Sequence, residues 1–145
     1  MIHISMTPAE KKVVYIEDDK YIGAIFKKKL ENLGYEVVHV LEGTVASEMI
    51  AKETEMADAK VILLDLMLPD TDGFDLLRAI KDSEKLKHIP VIVLSNIDGE
   101  EQMKEAMSLG VADYMVKAHY TTDQIAERIN QVIHKQEALG DSDKV

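Results

Sequence analysis

The sequence of 145 residues predicts a single doubly wound α/β domain, a five-stranded parallel sheet with helices on both faces. Two observations predict it. Five short apolar runs alternate strictly with five segments of helical periodicity, and no repeat, linker or low-complexity segment interrupts the series. The apolar runs also lack the polar alternation of half-exposed strands, which is typical of parallel strands buried on both faces.

The five predicted strands are rich in β-branched and aliphatic residues. In chain order they cover residues 13–16, 36–40, 61–64, 91–94 and the shorter 114–116. Pro90 lies at the entry to the fourth strand, where its missing N–H does least harm.

The first predicted helix has one buried stripe and stops at Gly34. The stripe follows i, i+3, i+4 spacing and consists of Ile22, Ile25, Phe26, Leu30 and Leu33. The second helix is weaker and covers residues 44–55. The third is marked by the apolar positions Phe74, Leu77 and Ile80.

Capping patterns open the last two predicted helices. Asp98 with Glu101 three residues later begins the fourth helix, which ends at Gly110. Thr121 with Gln124 repeats the pattern before the fifth helix. We therefore expect a flexible lead-in at residues 1–10, a folded domain at 11–138 and a polar tail at 139–145.

Composition excludes several function classes. Asp and Glu number 27 against 17 Lys and Arg, a formal charge of -10, which argues against direct binding to nucleic acid or to an anionic membrane. The absence of cysteine excludes disulfides, thiolate zinc sites and cysteine nucleophiles. No apolar run approaches the ~20 residues of a membrane span, and no secretion signal is present, so we expect a cytoplasmic protein.

Chemically useful side chains follow four of the five predicted strands. In doubly wound folds, ligands bind outside the carboxyl ends of the strands. The residues at these ends are Glu17, Asp18 and Asp19 after the first strand, Asp65 after the third, Ser95 after the fourth and Lys117 after the fifth. Singly, Asp18 or Asp19 would be a helix cap, Ser95 a loop serine and Lys117 a surface lysine, but together they predict a site.

The chemistry of that site follows from its charges. Glu17, Asp18 and Asp65 would repel one another unless a cation lay among them. Ligands that are all hard oxygens favour Mg²⁺ or Mn²⁺ over zinc. A carboxylate such as Asp65 can act as a nucleophile and form an aspartyl phosphate, while the metal, Lys117 and Ser95 hold the oxygens of the transferring group.

The sequence resembles the receiver domain of response regulators, the phosphorylation switch of two-component signalling, and in particular single-domain chemotaxis regulators. The resemblance covers about residues 11–135 and rests on segments 14–19, 63–73, 90–95 and 110–117, which read VYIEDD, LLDLMLPDTDG, PVIVLS and GVADYMVK. It implies a flavodoxin-like strand order of 2-1-3-4-5.

The resemblance also implies a role for each site residue. These are Asp65 as phosphoacceptor, Glu17, Asp18, Asp65 and the Met67 carbonyl as ligands of Mg²⁺, Lys117 as the catalytic cation, Ser95 as the switch hydroxyl, and Tyr114 as the switch aromatic. The alternative for Tyr114 is a half-buried strand residue with a solvated hydroxyl.

The implied partners are proteins. A sensor histidine kinase or a histidine phosphotransfer protein would supply the phosphoryl group, and a downstream protein would bind the face formed by residues 98–135. Such a receiver catalyses its own phosphotransfer and slow dephosphorylation without being a dedicated enzyme.

Two departures from the family pattern keep other functions open. Ala118 stands where the family has a proline in a cis peptide, and a cis bond to a non-proline residue costs ~3–4 kcal/mol, so we expect a trans bond and a rearranged loop. Asn96 replaces a small residue and would narrow access to Asp65. Both favour the alternative of a binding module that is never phosphorylated. A phosphohydrolase is disfavoured, because Met67 stands where such enzymes place a general acid.

Overall fold

Five strands and five α-helices alternate along the chain in the computed structural model, which describes residues 11–143. The strands are β1 Lys12–Ile16, β2 Glu36–Val40, β3 Ala59–Leu64, β4 Val91–Ser95 and β5 Asp113–Val116. The helices are α1 Lys20–Asn32, α2 Gly43–Lys52, α3 Gly73–Asp82, α4 Glu100–Ser108 and α5 Thr122–Asp143, with a 3₁₀ turn at Lys117–His119. The predicted lead-in at residues 1–10 lies outside the described residues.

The strands form one sheet in the order β2-β1-β3-β4-β5, and each neighbouring pair is parallel. The predicted fold class and strand order are therefore confirmed. The chain moves outward from β1 to β2 and then continues on the other side of β1 with β3. The carboxyl ends of β1 and β3 thus lie side by side at the point where the strand order reverses, which is where this kind of sheet binds ligands.

Alternate strand residues fill two separate cores. Val14 and Ile16 pack with α2, α3 and α4 on one face of the sheet, whereas Val13 and Tyr15 pack with α1 and α5 on the other. Because each strand is covered on both faces, its sequence is apolar at consecutive positions instead of alternating.

The stripe predicted for α1 is wrong at two of its five positions. Phe26 and Leu30 are buried and Ile22 is partly buried, but Ile25 and Leu33 are 48% and 44% exposed. Gly23 is buried as well, which a hydrophobicity pattern does not detect because glycine carries no apolar side chain.

Most predicted helix ends are confirmed. Gly34 and Gly110 adopt the left-handed conformation, with φ of 97° and 87°, and Thr121 and Gln124 each cap the other's main-chain N–H.

Three predicted boundaries differ from the structure. The second helix, predicted to reach residue 55, ends at Lys52. The cap predicted at Asp98 is wrong, since α4 follows Gly99 and has no side-chain cap. α5 continues to Asp143, so the boundary expected at residue 138 falls within a helix.

None of the helices within residues 11–143 is both long enough and apolar enough to cross a membrane.

Candidate functional site

Three carboxylates meet where β1 and β3 end. Glu17, Asp18 and Asp65 each present an oxygen, and these oxygens lie within 4.8 Å of one another. Glu17 and Asp65 are buried, at 1% and 5% exposure, while Asp18 is exposed. The cluster therefore has two oxygens in the protein interior and one at the solvent boundary.

Asp18 is available to this cluster because its neighbour caps the next helix. Asp19 Oδ1 accepts hydrogen bonds from the main-chain N–H groups of Tyr21 and Ile22, at 2.9 and 3.0 Å. Of the two acids that the sequence offered as the cap of α1, Asp19 is thus the one used.

Lys117 neutralises part of the cluster from the end of β5. Its Nζ donates to Asp65 Oδ2 at 3.0 Å and also to Glu17 Oε1, and its side chain is 10% exposed. Among residues 11–143 every peptide bond is trans, including the bond between Lys117 and Ala118. The alanine departure consequently leaves the lysine aimed at both buried acids.

Burial and charge act in opposite directions on this ion pair. Burial raises the pKa of Glu17 to about 7, although the Lys117 ammonium and the Asp19 N–H favour its ionised form. Burial alone would lower the pKa of Lys117, but its contacts with Glu17 and Asp65 raise it above the ordinary lysine value. Lys117 is therefore a permanent cation at neutral pH.

Asp65 is held on one oxygen by the loop that follows β3 and on the other by Lys117. The N–H of Met67 donates to Asp65 Oδ1 at 2.9 Å, which leaves Oδ2 to Lys117. The Met67 side chain is 60% exposed.

Further along the loop, the Asp70 carboxylate accepts hydrogen bonds from the N–H groups of Gly43 and Thr44, at 3.0 Å each. These bonds attach the loop to the N-terminus of α2.

Ser95 and Tyr114 are joined through one loop residue. Ser95 is fully buried, and its Oγ accepts from the N–H of Ile97 at 3.2 Å. The Tyr114 hydroxyl donates to the carbonyl of the same Ile97 at 2.8 Å. Tyr114 is only 6% exposed, so the alternative of a half-buried residue with a solvated hydroxyl is wrong.

The donor set of the cluster suits a hard divalent cation. All three side chains offer carboxylate oxygens, one of them at the solvent boundary where metal-bound water has room. Mg²⁺ and Mn²⁺ bind through carboxylates and waters in this way. Among the described residues, these three acidic side chains form the cluster whose oxygens lie close enough together to bind one ion.

Sequence reasoning missed two residues that contact Glu17. The Tyr15 hydroxyl donates to Glu17 Oε1 at 3.2 Å, and His39 Nε2 lies 2.8 Å from the Glu17 carbonyl oxygen. Tyr15 and Glu17 are two residues apart along β1 and its end, so they lie on the same side, and this spacing is a signal that could have linked them. His39 carried no such signal, because the pairing of β1 with β2 brings it into place.

Comparisons with known proteins agree with this geometry. The sequence profile of the family described as the response regulator receiver domain matches residues 13–130. The chemotaxis protein CheY1 of Helicobacter pylori is 30% identical over 122 residues, which span 84% of this chain and 96% of that protein.

Solved structures resemble this chain in both fold and sequence, and two of them serve as examples. The Francisella response regulator 1452 receiver domain has a TM-score of 0.73 and 30% identity, covering 86% of this chain and 98% of that one. The phosphorylated cyanobacterial phytochrome response regulator RcpA has a TM-score of 0.71 and 33% identity, covering 84% of this chain and 90% of that one.

Proposed function

The chain belongs to the response regulator receiver domain family, and on that premise we propose that Asp65 is the residue that accepts its phosphoryl group. Receivers of this family act as phosphoacceptors in two-component signalling, and this is the function of the chain. The observation that supports Asp65 is the convergence on its carboxylate of Lys117 and the acidic cluster.

The proposed transfer is a nucleophilic substitution at phosphorus. An Asp65 carboxylate oxygen attacks the phosphorus of a phosphohistidine, a new P–O bond forms, and the P–N bond breaks. The electron pair of that bond stays on the histidine nitrogen, which keeps it or takes up a proton. The Met67 N–H orients Asp65 Oδ1, so one oxygen is held while the other faces Lys117.

Lys117 and Ser95 act on the oxygens of the transferring group. The Lys117 ammonium lies 3.0 Å from Asp65 Oδ2, close enough to offset the negative charge on the oxygens of a phosphoryl group that reaches Asp65. The Ser95 hydroxyl accepts from the N–H of Ile97, and it can donate its own proton to a phosphoryl oxygen once it turns towards Asp65.

Glu17, Asp18, Asp65 and the Met67 carbonyl are the proposed ligands of Mg²⁺, with Mn²⁺ as a substitute. When bound, the ion neutralises charge on the transferring phosphoryl oxygens. The oxygen-only donor set and the short separations between the three carboxylates support their part in this assignment.

The Ser95–Ile97–Tyr114 connection supports a switch. If the Ser95 hydroxyl turns towards a phosphoryl group on Asp65, it leaves the N–H of Ile97, and the loop that also binds the Tyr114 hydroxyl is released. Tyr114 lies on the face formed by residues 98–135, which we propose as the surface that a downstream protein reads.

A phosphohistidine on a sensor histidine kinase or a histidine phosphotransfer protein is the proposed donor, and the cytoplasm the proposed location. The acidic composition does not favour nucleic acid as a direct partner.

Intact mass measured after incubation with acetyl phosphate and Mg²⁺ tests the assignment of Asp65. We expect the mass of one phosphoryl group to appear in the wild type and to be lost in Asp65→Ala. Asp82→Ala, which removes an exposed carboxylate at the end of α3, is the matched control and should keep the gain. A gain that persists in Asp65→Ala, or a wild-type chain that never gains mass, would contradict the proposal.

A further inference from the structure

An aromatic pair lies directly behind Glu17 and has no part in the function proposed above. Tyr15 on β1 and His39 on β2 are partners in the parallel register. Their rings stack, with centroids 5.3 Å apart and planes inclined by 21°. Tyr15 is fully buried, and its hydroxyl donates to Glu17 Oε1 at 3.2 Å. The pair therefore connects the edge strand β2 to the acidic cluster.

His39 binds the main chain of the same acid. Its Nε2 lies 2.8 Å from the Glu17 carbonyl oxygen, and because a carbonyl can only accept, Nε2 is the donor. The Glu17 N–H donates to the Val40 carbonyl at 3.0 Å. Both main-chain polar groups of Glu17 are thus fixed by β2 at the point where regular strand pairing stops.

The first helix leaves space for this imidazole. A Cβ at position 23 would lie 2.0 Å from His39 Cε1, so only glycine fits opposite the ring. Glycine within a helix is less favourable than alanine by ~1 kcal/mol, a cost that the packing of His39 against α1 explains.

The Glu17 carboxylate is held on both oxygens. Oε1 accepts from the Tyr15 hydroxyl and from Lys117, and Oε2 accepts from the Asp19 N–H at 3.2 Å. A glutamate has three side-chain torsions, so a buried one presents an oxygen in a fixed direction only when such contacts hold it. Groups that hydrogen-bond a metal-ligating carboxylate orient it, and their loss typically weakens metal affinity 10–100-fold.

We propose that Tyr15 and His39 are positioning residues that hold Glu17 for a divalent cation, so that the pairing of β1 with β2 sets the metal affinity of the site. Tyr15 orients the carboxylate, while His39 fixes the main chain of Glu17 and, through stacking, the Tyr15 ring. The inference rests on the proposed function, because it takes Glu17 to be a metal ligand.

Calorimetric titration with Mg²⁺ tests the role of Tyr15. Tyr15→Phe keeps the ring and removes the hydroxyl, and we expect its Kd for Mg²⁺ to rise about tenfold. Tyr35→Phe is the matched control, because Tyr35 is also buried and its hydroxyl bonds Asn130 on α5, away from the cluster. Its Kd should equal that of the wild type, although both variants lose a hydrogen bond and some stability.

Two substitutions of His39 give an independent arm. His39→Ala removes both the stack and the donor and should raise the Kd, whereas His39→Gln keeps an N–H donor and should recover part of the affinity. Thermal unfolding of each variant verifies that it folds.

The possible outcomes separate this inference from the proposed function. A wild-type chain that binds Mg²⁺, combined with an unchanged Kd in Tyr15→Phe and His39→Ala, overturns the inference and leaves the function in place. An equal rise in Kd for Tyr35→Phe also overturns it, since the effect would then follow stability. A wild-type chain without saturable Mg²⁺ binding overturns the metal site and the inference together.

Discussion

Replacing Gly23 by alanine tests how closely α1 packs against the site. The added Cβ would lie 2.0 Å from His39 Cε1 and 2.5 Å from its Nε2, distances that real Cβ contacts do not reach. The imidazole must therefore move away from its position between Tyr15 and the Glu17 carbonyl.

The size of the effect follows from what His39 loses. A buried carbonyl left without its donor costs ~1–3 kcal/mol, and an aromatic stack contributes ~0.5–1.5 kcal/mol. Alanine is better than glycine within a helix by ~1 kcal/mol, which acts in the opposite direction. The free energy of unfolding should thus fall by about 2 kcal/mol, although the same change in an open helix would raise it.

A double-mutant cycle separates the steric cause from other effects. Urea unfolding is followed by far-ultraviolet circular dichroism in the wild type, Gly23→Ala, His39→Ala and the double variant. Once His39 is truncated, the clash disappears, so Gly23→Ala should become neutral or stabilise by up to ~1 kcal/mol.

Two results would refute this reasoning. The first is a Gly23→Ala variant that is at least as stable as the wild type. The second is a Gly23→Ala substitution that lowers the free energy of unfolding equally in the wild-type and His39→Ala backgrounds. Gly73 provides a contrast, because a Cβ there would lie 2.4 Å from Cα of Leu66, a main-chain atom. Because the obstacle is a main-chain atom, truncating the Leu66 side chain should not restore the stability that Gly73→Ala loses.

Three further predictions can be measured by the same unfolding assay. Thr121→Ala removes the cap that bonds the Gln124 N–H and should lower the free energy of unfolding by ~1 kcal/mol. Leu77→Ala empties a fully buried position on α3 and should lower it by ~2–5 kcal/mol. Asp70→Ala should lower the urea midpoint more than Asp70→Asn, which keeps an acceptor for the Gly43 N–H. Because the bonds from Thr44 and Gly43 lower the pKa of Asp70, its contribution is present above the ordinary aspartate pKa and is lost as the pH falls through the lowered value.

Local patterns were sufficient for the elements and for their order along the chain, whereas the order of the strands within the sheet was implied by the family resemblance. The unbroken apolar runs indicated strands covered on both faces, and the glycines at positions 34 and 110 marked helix ends, because left-handed backbone is readily accessible only to glycine. Where a local pattern predicted the wrong residue to be buried, the reason lies in tertiary packing. Ile25 fits a helical stripe as well as Phe26 does. In the structure, however, α1 turns towards the sheet the face that carries Gly23 and Phe26, so the side chain of Ile25 is left 48% exposed.

The candidate site shows the same division. Its acids, hydroxyl and lysine could be found from the sequence, because parallel strands bring their carboxyl ends to one edge of the sheet. Three sets of contacts depended on tertiary structure. Lys117 donates to both Asp65 and Glu17. Ser95 and Tyr114 both form hydrogen bonds with Ile97, and the pairing of β1 with β2 places His39 against the Glu17 carbonyl.

The residues at the strand ends could be predicted from the amino-acid sequence, since strand ends follow from local propensity and hydrophobicity. Which of those residues touch became clear only in the folded protein, because contact depends on strand register and on how closely a helix can approach. His39 and Gly23 show this most clearly, being 16 positions apart in the sequence and packed against each other behind the acidic cluster.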